Sequence, residues 1–152
     1  MIPILLANHS NSIVCYQKEM LTLCGYTVVG RANTPEETIE LFKELNPGFV
    51  ALDFHPEKFD TIKAIEGIQS INSEVPIIVT SAWGFGWPFV EAFRLGIKDW
   101  SINTFPTQSL RFMIAVDLLI GDETRIKVME SILKEDMKYC FAFLRRQNIY
   151  GL

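Results

Sequence analysis

Several apolar runs in this sequence are followed by polar residues that could do chemistry together. The types are one carboxylate, two imidazoles, a hydroxyl and two carboxamides. Such a set could bind a metal ion, accept a phosphoryl group or form a closed hydrogen-bond network, provided that the fold gathers it in one place. The residues concerned are Asn8, His9, Asp53, His55, Ser81 and Asn103.

The apolar runs that would position these residues alternate with segments of helical spacing. They occupy residues 4–7, 27–30, 49–52, 76–79 and 98–102. Because the runs are mostly continuous rather than alternately polar, each is expected to be buried on both faces, which is typical of a parallel sheet covered by helices. The sequence predicts an α/β fold, a (βα)5 doubly wound five-stranded parallel sheet, with an extra C-terminal helix. The carboxyl ends of its strands would form one edge, where functional groups collect.

Local signals predict where some of these elements begin and end. Residues 34–37, Thr-Pro-Glu-Glu, form a capping box with proline at the first helical position, and the helix should stop near Asn46 because Pro47 follows it. Gly25 and Gly96 are typical of glycines that end helices.

The pattern predicts two parts of the chain. Residues 1–121 account for the five strand and helix pairs, and residues 122–152 form a helical extension with an apolar stripe. That stripe either packs on its own domain or mediates dimerisation or partner docking, and the sequence leaves both open.

Composition excludes several classes of protein. The chain has 152 residues, of which 49% are hydrophobic and 21% charged, which is typical of one folded domain. A net charge of −4 argues against sequence-independent binding of nucleic acid. No run is long enough to span a membrane, and no signal peptide is evident, so a cytoplasmic location is expected. Cys15, Cys24 and Cys140 are interpreted as core thiols of a reducing compartment.

Five strings at these strand ends resemble, in order and spacing, the receiver domain of bacterial response regulators, the CheY-like family. The resemblance covers nearly all of residues 1–121 and implies a flavodoxin-like (CheY-like) fold and a non-enzymatic role in two-component or phosphorelay signalling. It also implies a sensor histidine kinase or another signalling protein as partner. The strings are PILLANHS, GYTVVGRA, NPGFVALDF, VPIIVTSAWG and GIKDWSINTF.

The resemblance assigns roles to individual residues, and only some of them are kept. Asp53 matches the phosphoacceptor, and Ser81 matches the hydroxyl residue that contacts the phosphoryl group. Asn8 and His9 stand where the family has an acidic pair that helps to hold Mg²⁺, and Asn103 stands in place of its lysine. Trp100 occupies the aromatic switch position, and Thr104 replaces a proline.

These departures weaken the chemistry expected at Asp53. Mg²⁺ in phosphoryl-transfer sites is bound through carboxylates, and Asp53 is the single carboxylate among the matched positions, so binding should be weak or absent. Loss of the metal and the lysine removes the main sources of charge stabilisation. The sequence therefore favours an atypical, stand-alone receiver (a pseudo-receiver) with a degenerate pocket.

Two alternatives to this interpretation stay open. One is a conventional switch phosphorylated on Asp53. The other is a flavodoxin-like module that binds a small molecule, although the first strand is not followed by a glycine-rich phosphate loop.

Two further hypotheses concern metal binding and protein contacts. His9 and His55 border Asp53 and could bind Zn²⁺ or another transition metal with it, or could simply face water. The aromatic residues after the fourth strand could form an interface, including that of a homodimer, or could fill space beside the pocket. They are Trp83, Phe85, Trp87, Phe89 and Phe93, with Trp100 on the next strand.

Overall fold

Strands and helices alternate along the part of the chain that the structure describes. This computed structural model describes residues 2–23, 25–81 and 87–102, without the side chains of Met20, Leu23, Trp87, Ser101 and Ile102. The strands are β1 (Pro3–Ala7), β2 (Thr27–Ala32), β3 (Phe49–Phe54), β4 (Ile77–Ser81) and β5 (Asp99–Ile102). The helices are α1 (Asn11–Leu23), α2 (Pro35–Leu45), α3 (Thr61–Ile71) and α4 (Trp87–Arg94).

The five strands form one parallel sheet in the order β2-β1-β3-β4-β5. The predicted α/β fold with a doubly wound parallel sheet is therefore confirmed. Strand β1 lies between β2 and β3, so the chain crosses over after β2 and the helices cover both faces. The carboxyl ends of β1, β3 and β4 lie side by side at the centre of one edge, which brings together the residues that follow them.

The expectation that every strand is buried holds for the central strands and is wrong for β2. Strands β3 and β4 are buried over almost their whole length, whereas most of β2 is exposed or half-buried. The reason is position, because β2 is an edge strand with a neighbour on one side only.

The predicted ends of α2 are confirmed. The Thr34 hydroxyl accepts a hydrogen bond from the Glu37 N–H at 3.2 Å, and Asn46 ends the helix in the left-handed region with a φ of 44°. The Glu37 carboxylate reaches back to the N–H of Asn33 at 2.7 Å, one residue before the cap. Gly25 and Gly96 have the positive φ expected of helix-ending glycines.

The core is mostly aliphatic with a few aromatic side chains and lies on both faces of the sheet, with β1, β3 and β4 at its centre. Cys15 is not part of it, contrary to expectation. This residue is half-buried on α1, and its Sγ lies 2.8 Å from Nη1 of Arg31 on the exposed edge strand β2. The reason is that this part of α1 covers the edge strand β2 rather than the central strands.

Other sequence predictions fall outside the described residues. They include Cys24, Cys140, Asn103, Trp83 and Phe85, and the division of the chain at residue 121. The described residues belong to one compact unit, Met1–Ile102. Within them, no helix is both long and apolar enough to cross a membrane.

Candidate functional site

Asp53 lies at the centre of the site, near the carboxyl end of β3. Its neighbour across the sheet is Thr80 of β4, and its side chain is almost completely buried. The backbone carbonyl of Asp53 accepts a hydrogen bond from Oγ1 of Thr61 at 2.7 Å. Since Thr61 is the first residue of α3, this bond ties the strand end to the helix that follows the loop.

His9 binds the Asp53 carboxylate through two nitrogen atoms. Its backbone N–H donates to Asp53 Oδ2 at 3.2 Å, and its ring Nδ1 is hydrogen-bonded to the same oxygen. An ionised carboxylate can only accept, so the ring proton of a neutral His9 is on Nδ1 and the lone pair is on Nε2. Asp53 Oδ1 has no hydrogen-bond partner among the residues that the structure describes.

Asn8 is engaged by its own neighbours. It is 1% exposed, and its Oδ1 accepts from the N–H of Ser10 at 2.9 Å. Its backbone carbonyl accepts from Nδ2 of Asn33 at 2.8 Å, and its N–H donates to the carbonyl of Ala32. The carboxamide thus holds the turn that enters α1, as asparagine does in Asx turns, and is committed to that turn.

His55 lies against His9 but is held by its own loop. The two rings meet edge to face with centroids 4.5 Å apart. Nδ1 of His55 accepts hydrogen bonds from the N–H groups of Glu57 at 3.2 Å and Lys58 at 3.1 Å. A neutral His55 therefore carries its ring proton on Nε2, opposite to the arrangement in His9.

The donor set does not fit the Mg²⁺ that the resemblance implies. Mg²⁺ takes oxygen ligands, usually with one or two carboxylates. Here Asp53 has one oxygen bound to His9, and the Asn8 oxygen is bound to Ser10. For the Zn²⁺ hypothesis, no group of three histidine, cysteine or acidic residues within the described ranges has the arrangement of a metal site.

Ser81 is the last residue of β4 and is completely buried. It pairs with Phe54 in the sheet, one residue beyond Asp53, so it lies at the same edge as the carboxylate. The structure thus brings Asn8, His9, Asp53, His55 and Ser81 to one edge of the sheet.

Trp100, which the resemblance predicts to occupy the switch position, is buried. Trp100 is 5% exposed, and its ring contacts Phe54 at 5.1 Å and Phe89 at 5.6 Å between centroids. Its indole N–H has no hydrogen-bond partner in the described part of the chain. The ring therefore joins β3, β5 and α4 through apolar contacts.

Helix α4 presents an apolar surface, which we call the α4 face and define by Val90 and Phe93. These side chains are 43% and 41% exposed, and Phe93 packs on the half-buried Phe89. Val90 is not among the residues predicted from the sequence, although its spacing of three from Phe93 is the helical signal that could have identified it.

Loop residues after β3 also line an open groove of about 730 Å³ beside the site. Its lining includes acidic and basic side chains. Two of them, Lys63 of α3 and Glu36 of α2, form an ion pair. This hydrogen-bonded ion pair lowers the pKa of Glu36 and raises that of Lys63. The pair is exposed, so solvent screens it and its effect on stability is small.

Replacement of Thr61 by valine should destabilise the protein by about 1–3 kcal/mol. The change keeps the shape of the side chain and leaves the Asp53 carbonyl, a buried acceptor, without its donor. Urea unfolding measures the loss. Thr22→Val is the matched control, since the Thr22 hydroxyl also donates to a backbone carbonyl, that of Lys18, but at an exposed position, and this change should alter stability by less than about 0.5 kcal/mol. Equal effects would contradict the role given to this bond.

The chain is similar to known chemotaxis proteins and to structures of receivers. Chemotaxis protein CheY of Thermotoga maritima is 36% identical over 88 residues, which are 58% of this chain and 73% of that protein. Chemotaxis protein CheY of Bacillus subtilis is 31% identical over the same shares of both chains. The CheX–CheY complex with BeF3 and Mg²⁺ from Borrelia burgdorferi has a TM-score of 0.70 at 20% identity, covering 80% of this chain and 90% of that one. No family model matches the chain.

Proposed function

The chain belongs to the CheY-like family of response-regulator receiver domains, which act in two-component signalling, and from that premise we propose that it is an atypical receiver. In this proposal its output depends on a protein surface and not on phosphorylation of Asp53. It has no catalytic activity of its own and works in the cytoplasm. Its partner is a sensor histidine kinase or another signalling protein.

The observation that carries the proposal is the double contact between His9 and Asp53. The residue that stands in the acidic pair's place uses both its amide and its ring to bind the carboxylate that would accept the phosphoryl group. A carboxylate oxygen that accepts two hydrogen bonds is a poorer nucleophile, because its negative charge is already stabilised. Asp53 Oδ2 is thereby committed to His9.

Charge supports the same conclusion. Phosphoryl transfer to a carboxylate brings two anions together, and receivers offset that repulsion with a metal ion and a lysine. The donor set here does not suit Mg²⁺, and Asn103 brings no positive charge. Without these cations the transition state loses electrostatic stabilisation, which usually contributes more than any other effect to the rate of such reactions.

Treatment of the full chain with acetyl phosphate and Mg²⁺ tests this proposal. We expect the intact mass of the wild type to show no phosphoryl group on Asp53. The wild type and Asp53→Asn should therefore give the same result. Stoichiometric, hydroxylamine-sensitive modification that depends on Asp53 would overturn it.

That second outcome corresponds to a conventional phosphoswitch, which one observation favours. Asp53 Oδ1 has no partner among the described residues and could act as the nucleophile, with Ser81 at the same edge. The substitution His9→Gln distinguishes the two functions. If the protein is a conventional switch, acetyl phosphate should still phosphorylate Asp53 in this variant.

We propose that the α4 face contributes the output surface, including that of a homodimer. Phe93→Asp places a charge on this face and should weaken self-association of the full chain at least about tenfold, because a desolvated carboxylate is costly in an interface. The dissociation constant from analytical ultracentrifugation measures it. Ile71→Asp on α3 is the matched control, since Ile71 is 42% exposed against 41% for Phe93. An equal effect of both substitutions, or none, would contradict this assignment.

The division into residues 1–121 and 122–152 stays part of the proposal. We would compare the solution mass of the full chain with that of a chain ending at Gly121. The comparison tests whether residues 122–152 mediate assembly. A dimer that survives the truncation would show that the extension is not needed for assembly.

A further inference from the structure

We propose that His9 is itself a modification site, at which Nε2 accepts a phosphoryl group from a small phosphoramidate donor. Asp53 then acts as a positioning residue that holds the Nδ1 proton. This inference rests on the proposed function, in which Asp53 is not the phosphoacceptor. It assigns a role to the His9 ring, which is bound to the Asp53 carboxylate.

The geometry determines which nitrogen reacts. Asp53 Oδ2 accepts from Nδ1, so the lone pair of a neutral His9 is on Nε2, which has no hydrogen-bond partner among the described residues. The side chain of His9 is 22% exposed, whereas that of Asp53 is 7% exposed. The imidazole therefore lies nearer to solvent than the carboxylate behind it.

His55 has the opposite arrangement and serves as an internal comparison. Its Nδ1 lone pair accepts two loop amides, and its Nε2 carries the ring proton. A neutral His55 thus has no uncommitted nitrogen lone pair. The chain holds only these two histidines, so the structure predicts a single reactive imidazole.

The proposed step is a simple displacement at phosphorus. The Nε2 lone pair of His9 forms the N–P bond, and the P–N bond of N-protonated phosphoramidate breaks with its electrons going to ammonia. The imidazole keeps its Nδ1 proton and becomes a cation, which the Asp53 carboxylate stabilises.

This reaction needs less help from cations than phosphorylation of Asp53. A neutral imidazole adds no negative charge to the phosphoryl oxygens, whereas a carboxylate does. The lack of a metal ion and a lysine, which weakens the reactivity of Asp53, therefore matters less for His9.

The test is to incubate the full chain with phosphoramidate and follow intact mass and peptide mapping. We expect one phosphoryl group that is stable in alkali, labile in acid and located on His9. His9→Gln should abolish it, and the matched control His55→Gln should retain it. Asp53→Asn should slow labelling by at least about tenfold, because the imidazolium loses its counter-charge.

The outcomes separate this inference from the function on which it rests. No labelling, or an acid-labile label that is equally strong in His9→Gln, overturns the inference and leaves the proposed function standing. A label that is alkali-labile, persists in His9→Gln and is lost in Asp53→Asn overturns both. Equal rates in wild type and Asp53→Asn would overturn the role of Asp53.

Discussion

Substitution of Asn8 and His9 together by aspartate should destabilise the protein by about 3–5 kcal/mol without metal and make its stability depend on Mg²⁺. Asn8 is 1% exposed and Asp53 is also buried, so the double variant crowds carboxylates into one pocket and removes the His9 contact. Carboxylates crowded into one buried pocket repel one another, and this repulsion favours protonation or unfolding.

Mg²⁺ should reverse part of this loss, because the new carboxylates complete the oxygen ligands that the natural pocket does not offer. A metal that binds only the folded state stabilises it by about 1.4 kcal/mol when its free concentration is ten times the dissociation constant. Urea unfolding with Mg²⁺ and with EDTA measures both effects. Asn11→Asp, at the exposed first residue of α1, is the control and should show no dependence on the metal. A double variant as stable as wild type and insensitive to Mg²⁺ would contradict our description of the pocket.

Removal of the Trp100 ring should cost about 3–5 kcal/mol of stability, the range for large aromatic side chains cut to alanine in a core. The ring is buried between β3 and α4 and contacts Phe54 and Phe89. Phe93→Ala is the matched comparison, since Phe93 contacts the same Phe89 from the exposed side. That change should cost about 1 kcal/mol or less. Equal losses in denaturant unfolding would show that the two rings are not buried differently.

A small effect of Trp100→Ala on stability would also bear on signalling. It would mean that Trp100 is loosely packed and free to change conformation, as the predicted switch role requires. The expected large loss instead makes Trp100 a structural link between the sheet and the α4 face.

The sheet and the caps could be predicted because they depend on local sequence. The continuous apolar runs indicated the central strands, and the Thr34 capping box indicated the start of α2. The exposure of β2 depends on strand order, which periodicity does not encode. The same limit explains Cys15, whose surroundings are set by its place over the edge strand.

The site could be predicted as a set of residues but not as a set of contacts. The end of each strand placed Asp53, His9 and His55 near one another. The direction of the His9 ring and the loop amides on His55 follow from side-chain rotamers and loop geometry. These details decide which nitrogen carries a proton, and so they decide the chemistry.

In our proposal phosphorylation of Asp53 does not control the α4 face, and the indole N–H resonance of Trp100 is a direct probe of this. In a ¹⁵N-labelled full chain this resonance is assigned by its loss in Trp100→Phe. We predict that acetyl phosphate with Mg²⁺ leaves its position unchanged, in wild type as in Asp53→Asn. A shift that occurs in wild type and is absent in Asp53→Asn would contradict the claim and establish a conventional phosphoswitch.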